Sequence, residues 1–295
     1  MASVTNSEHP VTTLGPSFPP ALLLLSDSAL PLGSFAFSSG LESYLAHHAA
    51  PSLPRTGANR LTDNGLLDSK SRSHISTFLS LSLYSVSSSV LPYLIAAYME
   101  PSRLQTLDND LDASITCTVA RRASIAQGRA LLAVWDKAFK SADSTPALSH
   151  QEAVSREQAT QDAAFQGRVA LDELSTGLKV AFPEESFTTL PPPPNGHLAP
   201  LFALVCLSQS LSLADTAWIF LFNHARAVLS AAVRAGAMGP YQSQAVLASS
   251  WLRDILAECS QRGMKTGVHN ASQCVPAMDI WSGRHELLYT RIFNS

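Results

Sequence analysis

The stretch SLADTAWIFLFNHARAVLSAAVRAG, residues 212–236, has the pattern of a long amphipathic helix. Its first four residues, Ser212 to Asp215, have the spacing of a capping box, in which a hydroxyl and a carboxylate satisfy free amides at a helix start. Apolar side chains then recur every three or four residues up to Ala235, and Gly236 stands where glycine ends many helices. The stretch therefore predicts a single helix beginning at Leu213.

Similar patterns fill most of the chain. Residues 73–99, 114–139 and 151–174 also read as helices, and residues 197–222 read as buried helix because polar residues interrupt them before they could span a membrane. Alanine and leucine far outnumber valine and isoleucine, and no alternating run of β-branched residues is bounded by turn signals. An all-α protein is favoured, and the length of 295 residues leaves one or two lobes open.

Several local features refine this prediction. Gly239-Pro240 should open a helix that runs to about Arg262, and Pro92 should kink or split its helix. The segment 114–139 should pack closely on a neighbour through the small residues of one face, namely Val119, Ala123, Ala126, Ala130 and Val134. Breaker-rich composition predicts loops at residues 50–73, 187–196 and 263–277.

Composition narrows the functional classes. A formal charge of −3 and a pI near 6.3 give no basic field for nucleic acid or an anionic membrane. Four scattered cysteines indicate reduced thiols in a cytosolic protein. The first basic residue is Arg55, so the apolar run 21–25 lacks the flank of a signal peptide, and a cytoplasmic location is expected.

Motifs for common chemistry are missing from the sequence: no phosphate loop, no metal-site spacing and no nucleophile turn occur. We therefore expect no catalytic residue, metal ligand or cofactor in this chain. His47 and His48 read as helix surface, and His224 as a hydrogen-bonded core histidine. Loop and docking roles are favoured over a metal site for the group Cys274, Asp279 and His285. Arg121 and Arg122 read as a solvated face or as ion-pair partners.

Two segments stand out. Near the N-terminus, LLLLSDSALPLGSFAFSSGLESYL carries Pro and Gly at a density that implies a specific path between helices. The last residues, DIWSGRHELLYTRIFNS from Asp279 to Ser295, are unusually apolar for a terminus. At about 100° per residue, their apolar side chains cover roughly two-thirds of a helix, which exceeds a single packing stripe. A partner-binding tail is favoured, and a tail folded wholly onto its own domain is the alternative.

Together with VARRASIAQGRALL and LSAAVRAGAMG, these segments resemble the UreF family of urease accessory proteins, of the fungal or plant type. The resemblance implies one compact all-α domain of roughly ten helices over residues 21–262, with a flexible extension at 1–20 and a connector and docking tail at 263–295. It also implies a non-catalytic homodimer that binds a UreD/UreH-type protein. That pair would recruit the GTPase UreG, so that nickel is loaded into apo-urease; nickel and GTP are handled by the partner proteins.

By motif position, the resemblance makes both ends of the chain candidate assembly surfaces. Their candidate partner-binding residues are Glu42, Tyr44, Asp279, Gly283, His285, Glu286, Tyr289, Arg291, Phe293 and Ser295. Tyr289 and Phe293 are expected to be apolar anchors and Arg291 a charge that holds register, because aromatic and arginine side chains dominate interface energetics. Two alternatives stay open: a GTPase activator that uses Arg121, Arg122 or Arg291, and an unrelated helical hydrolase.

Overall fold

The computed structural model describes residues 20–48, 69–140, 156–179 and 193–294. Within these ranges the chain forms twelve α-helices and no strand, which confirms the all-α prediction. The helices are α1 (Pro20–Ser26), α2 (Leu41–His48), α3 (Ser69–Ser89), α4 (Leu91–Met99), α5 (Leu104–Ser114), α6 (Thr118–Val134), α7 (Arg156–Lys179), α8 (Leu198–Ser208), α9 (Leu213–Arg234), α10 (Pro240–Leu247), α11 (Ser250–Lys265) and α12 (Ala277–Arg284).

Helix α8 forms the centre of the fold. All its residues from Ala199 to Ser208 are buried, and it packs against α4, α6, α7 and α9. A helix that is apolar on every side belongs inside a core. One continuous cluster of buried apolar side chains extends from α1 to Phe293, so the described residues form one lobe.

The length and composition of the helices also bear on membrane crossing. No single helix among the described residues is both long and apolar enough to span a bilayer. One bent pair, His74–Ser89 with Leu91–Met99, meets those two criteria when its members are taken together.

Helix α9 follows its sequence signals. The amide of Asp215 donates to Oγ of Ser212 (3.1 Å), and that hydroxyl donates to the Asp215 carboxylate (2.6 Å). At the other end Gly236 has a φ of 68°, and the amide of Ala237 reaches back to the carbonyl of Ala232 (2.9 Å). This pattern satisfies the last carbonyls of a helix, so local chemistry defines both ends.

Two predictions based on proline are confirmed, but one segment predicted as a single helix forms two helices. The helix over residues 73–99 divides at Val90 with a 40° bend, leaving Pro92 in the first turn of α4. Pro240 begins α10, but the single helix expected up to Arg262 is two helices. Ser249 starts α11 by accepting the amide of Leu252 (3.2 Å). A hydroxyl cap of this kind competes with helix continuation.

The face of α6 that was expected to pack closely is buried only in its first half, at Val119 and Ala123. Ala126 is exposed, while Val119, Ala123, Leu131 and Leu132 are buried. The contact is made by Gly128, where an added Cβ would lie 2.2 Å from the carbonyl oxygen of Gly196. The neighbour at Gly128 is the backbone of residues 196–198, where the loop leads into α8, and the periodicity of small residues gave no signal for this position.

The Gly128→Ala variant should therefore be destabilised by roughly 1–3 kcal/mol, because its new methyl group meets a backbone that cannot move cheaply. The matched control is Gly283→Ala in α12, where no atom lies within 4 Å of the added Cβ. Alanine also favours a helix over glycine, so the control should be neutral or slightly stabilised. Urea unfolding measures both, and equal stability of the two variants would contradict the clash.

The predicted loops are described only in part. Residues 1–19, 49–68, 141–155, 180–192 and Ser295 lie outside the described residues. Helix α3 already begins at Ser69, so the loop predicted over 50–73 ends too late. Residues 193–196 are non-helical, in agreement with the predicted proline loop. The connector starts later than expected, because α11 runs through Gly263 to Lys265.

Candidate assembly site at the two ends of the chain

The C-terminal segment folds back onto the first helices of the protein. Helix α12 ends at Arg284, one 3₁₀ turn covers His285–Leu287, and the remaining residues up to Asn294 are non-helical. The helical arrangement assumed for the whole tail is therefore wrong beyond Arg284. Its amides find acceptors on α2 and on the segment before it, instead of continuing the helical ladder.

Glu42 is the principal acceptor for this segment. One carboxylate oxygen lies 2.8 Å from Nε2 of His285, and the other accepts the amide of Ile292 (2.8 Å). The amide of Phe293 also points to this carboxylate (3.3 Å). The His285 contact joins residues 243 positions apart in sequence. One side chain of α2 thus holds the tail at two places.

The histidine of this pair is internal. The His285 side chain is fully buried and that of Glu42 is 11% exposed. A buried carboxylate with several hydrogen-bond donors is strongly held, and removal of either partner leaves unsatisfied polar groups. Both residues were predicted to contact a partner, but the structure places them between the tail and its own body.

Aromatic side chains pack α12 against α2. The ring of Tyr44 meets that of Trp281 edge-on with centroids 4.8 Å apart, and Phe78 of α3 lies 5.0 Å from Tyr44. Gly40 lets the two backbones approach, since its φ is 84° and an added Cβ would lie 3.0 Å from the amide of Ser282. Tyr44 is accordingly buried as a packing residue.

Phe293 completes the seat. Its ring is 4% exposed and lies beneath the guanidinium of Arg234, 4.4 Å from the ring centroid. The next amide, of Asn294, donates to the carbonyl of Ala36 (2.8 Å). A cation over an aromatic face adds an attraction to the apolar burial. Phe293 therefore anchors the tail to this chain. Its ring is not exposed for the contact with a partner that was predicted for it.

Other apolar side chains of the tail face solvent. Their exposed fractions are 57% for Ile280, 80% for Leu287, 103% for Tyr289 and 62% for Ile292. Trp281 and Leu288 are partly buried. The tail is thus neither free nor wholly folded away: one set of side chains fixes it, and another set is displayed. Tyr289, a predicted anchor, belongs to the displayed set.

The charged candidates divide in the same way. Glu286 pairs with Arg122, while Asp279 accepts from Thr116 (3.4 Å) and Gln273 (3.2 Å). Arg291 is exposed and forms no hydrogen bond or ion pair with any described residue.

The paired arginines and the suggested metal group also have definite partners. Arg121 lies 3.4 Å from the carboxylate of Asp112, so the ion-pair interpretation holds for both Arg121 and Arg122. Within the part of the chain that is described, no three His, Cys, Asp or Glu side chains group as metal ligands. Cys274 instead contacts the carbonyl of Tyr84 (3.3 Å).

A second polar cluster lies under the loop at residues 195–197. The His197 ring is 3.0 Å from Oγ of Ser124 and 3.1 Å from the Asp112 carboxylate, which is the order of a hydrolytic triad. The Ser124 hydroxyl, however, accepts the amide of Leu198 (3.3 Å) at the start of α8. Hydrolysis would need such amides aimed at a developing oxyanion. The cluster instead ties α5 and α6 to the start of α8.

His224 is partly buried and lines two adjoining pockets, of about 230 and 180 Å³. Its Nε2 lies 2.6 Å from Oγ of Ser82, as expected for a hydrogen-bonded core histidine. Burial lowers the pKa of His224 to about 4, because the charged ring would lose its hydration. The ring is therefore neutral near pH 7.

This burial predicts a dependence of stability on pH. In the unfolded chain His224 should titrate near 6.5, so its contribution is complete above that pH and is lost as pH falls towards 4. At pH 5 the wild type should have lost roughly 2 kcal/mol relative to His224→Gln, which does not titrate there. Urea unfolding of both proteins at pH 7.5 and pH 5 measures the difference, and parallel losses would contradict a neutral His224.

Both segments of this site are recognisable in the sequence, but the residues that join them are not. Glu42 was recognised, yet the roles of Gly40, Phe78 and Arg234 carried no signal except the density of glycine around residues 33–40. These three residues come from separate elements and meet only in the folded protein. No local pattern links them to the tail.

Sequence comparison relates this chain to known proteins. The UreF family model matches residues 70–250. A Schizosaccharomyces pombe protein described as an uncharacterized urease accessory protein UreF-like is 30% identical over 92% of this chain and 95% of its own length. Urease accessory protein F of Oryza sativa subsp. indica is 28% identical over 91% of this chain and 82% of its own. UreF of Actinobacillus pleuropneumoniae is 25% identical over 93% of this chain and 98% of its own length. The chain therefore belongs to the UreF family of urease accessory proteins.

Proposed function

We propose that this chain is a non-catalytic, cytoplasmic adaptor in urease maturation. It binds a UreD/UreH-type accessory protein and, as a homodimer within that complex, recruits a UreG-type GTPase that serves nickel insertion into apo-urease. Nickel and GTP belong to the partners in this scheme. The observation that carries the proposal is a tail fixed by Glu42 and Phe293 that nevertheless displays Leu287 and Tyr289.

A displayed tail of this kind suits protein binding. Covering one large apolar side chain contributes roughly 1.5–3 kcal/mol, so several together can outweigh the cost of association. Because Glu42 and Phe293 already order the segment, little conformational entropy remains to be lost on binding. Membership of a family whose named relatives are accessory proteins supports the same role.

The exposed tail residues should carry the affinity. The double variant Leu287→Ser/Tyr289→Ala should bind the UreD/UreH-type protein at least tenfold more weakly and fail to support urease activation in cells. Its melting temperature should not change, because both side chains lie in solvent. The matched control is Tyr241→Ala, which removes an 89% exposed tyrosine from α10. Copurification and titration calorimetry are the measurements; undiminished binding by the double variant would refute the adaptor surface.

A second candidate is a GTPase activator of UreG. It is favoured by one observation: the exposed Arg291 has no partner among the described residues, whereas Arg121 and Arg122 are held in ion pairs. An inserted arginine stabilises charge in phosphoryl transfer. Single-turnover GTP hydrolysis by UreG, with wild type and with Arg291→Ala, tests this role. An unchanged rate on adding the wild type eliminates the activator.

A further inference from the structure

Beside the tail lies a groove of about 850 Å³ between the exposed face of α6 and residues 291–294. Its apolar lining includes Phe37, Ile125 and Ile292, and its charged lining consists of Arg122, Arg129 and Arg291. None of the lining residues is acidic, although the chain as a whole carries a net charge of −3. The groove therefore has a local charge opposite to that of the protein.

Most of this charge is not neutralised by any of the described residues. Arg122 pairs with Glu286, but Arg129 donates only to the neutral carbonyl of Asn195 (2.9 Å). Arg291 has neither a carboxylate nor a carbonyl partner among the described residues. Two guanidinium groups thus border the groove with no carboxylate partner in the described part of the chain. A ligand that supplies carboxylates would gain charge-assisted hydrogen bonds from both.

We propose that this groove binds an acidic, amphipathic segment of a protein partner in the maturation complex. The apolar lining and the volume exceed what a single inorganic anion needs. The basic surface is too small, on a chain of net charge −3, to attract nucleic acid. An amphipathic peptide matches both parts: its apolar residues cover Phe37, Ile125 and Ile292, and its carboxylates meet the arginines.

The inference rests on the proposed adaptor function and adds the chemistry of the partner. Opposite charges across an interface raise the association rate, and their attraction weakens as salt screens it. The salt dependence of binding is therefore a signature of the groove that displayed apolar side chains alone would not produce. It distinguishes the contribution of Arg129 and Arg291 from that of Leu287 and Tyr289.

The test is the affinity of the full-length chain for its UreD/UreH-type and UreG-type proteins at 50 and 500 mM NaCl. For at least one of them, Arg129→Glu/Arg291→Glu should lose tenfold or more at low salt, and less at high salt. Arg129→Lys/Arg291→Lys should keep most of the affinity. Arg253→Glu, on the exposed face of α11, is the control for charge alone. Arg291→Glu by itself covers the case in which the change at residue 129 disturbs the fold.

A photo-crosslinking amino acid at position 125 identifies the occupant. Crosslinks to an acidic partner segment support the proposal, whereas crosslinks to a second copy of this chain or to a segment without net negative charge overturn it. If the intact chain binds a partner and the double charge-reversal variant binds it equally well, the proposed role of the groove is overturned and the adaptor function stands. If the intact chain binds neither protein, the adaptor function and the groove both fail.

Discussion

The Glu42→Ala variant should lose the docked tail and, with it, nearly all of the binding that we propose to a UreD/UreH-type protein. The Glu42 carboxylate accepts hydrogen bonds from the amides of Ile292 and Phe293 and contacts the ring of His285. Each buried donor left without an acceptor costs about 1–3 kcal/mol. Undocking exposes these groups to water instead, so the tail should open while the rest of the core persists.

Hydrogen exchange of the backbone amides measures this release directly. The amides of Ile292 and Phe293 should exchange at least tenfold faster in Glu42→Ala, while those of the buried helix α8 should be unchanged. Glu286→Gln is the control on the tail itself, because it removes only an ion pair with the 62% exposed Arg122, a type of contact worth at most about 1 kcal/mol. Unaltered protection at residues 292 and 293 in Glu42→Ala would show that Glu42 does not hold the tail in place.

The second large effect is expected at Asp108 of α5. This side chain is fully buried, and its carboxylate accepts the amides of Asn195, Gly196 and His197. Asp108→Ala should remove at least about 3 kcal/mol of stability, because three backbone donors lose their acceptor inside the protein. The loop that carries them also precedes α8, the central helix, so the damage should reach the core.

Denaturant unfolding tests this expectation against a neighbour on the same helix. Asp110 is exposed, so Asp110→Ala should change stability by no more than about 0.5 kcal/mol. A shallower unfolding transition in Asp108→Ala would indicate that the start of α8 has loosened as well. Equal midpoints for the two variants would show that the loop holds its place without the carboxylate.

Local chemistry made part of this structure predictable. The capping hydroxyl of Ser212, the left-handed Gly236 and the break at Pro92 act within a few residues, so a sequence window contains both the cause and the effect. The predicted face of α6 was only partly correct, for the opposite reason. Ala126 and Gly128 are both small, and only the loop backbone that crosses α6 at Gly128 decides which one is buried.

The candidate site shows the same division. The all-α class, the family resemblance and the choice of the two terminal segments could be predicted from the sequence, because composition, periodicity and motifs can be read without knowledge of distant contacts. The pairing of Glu42 with His285, the burial of Phe293 and the exposure of Tyr289 could not be predicted and are seen only in the folded protein. These roles depend on contacts between residues more than 240 positions apart, and such contacts follow from the packing of the whole core.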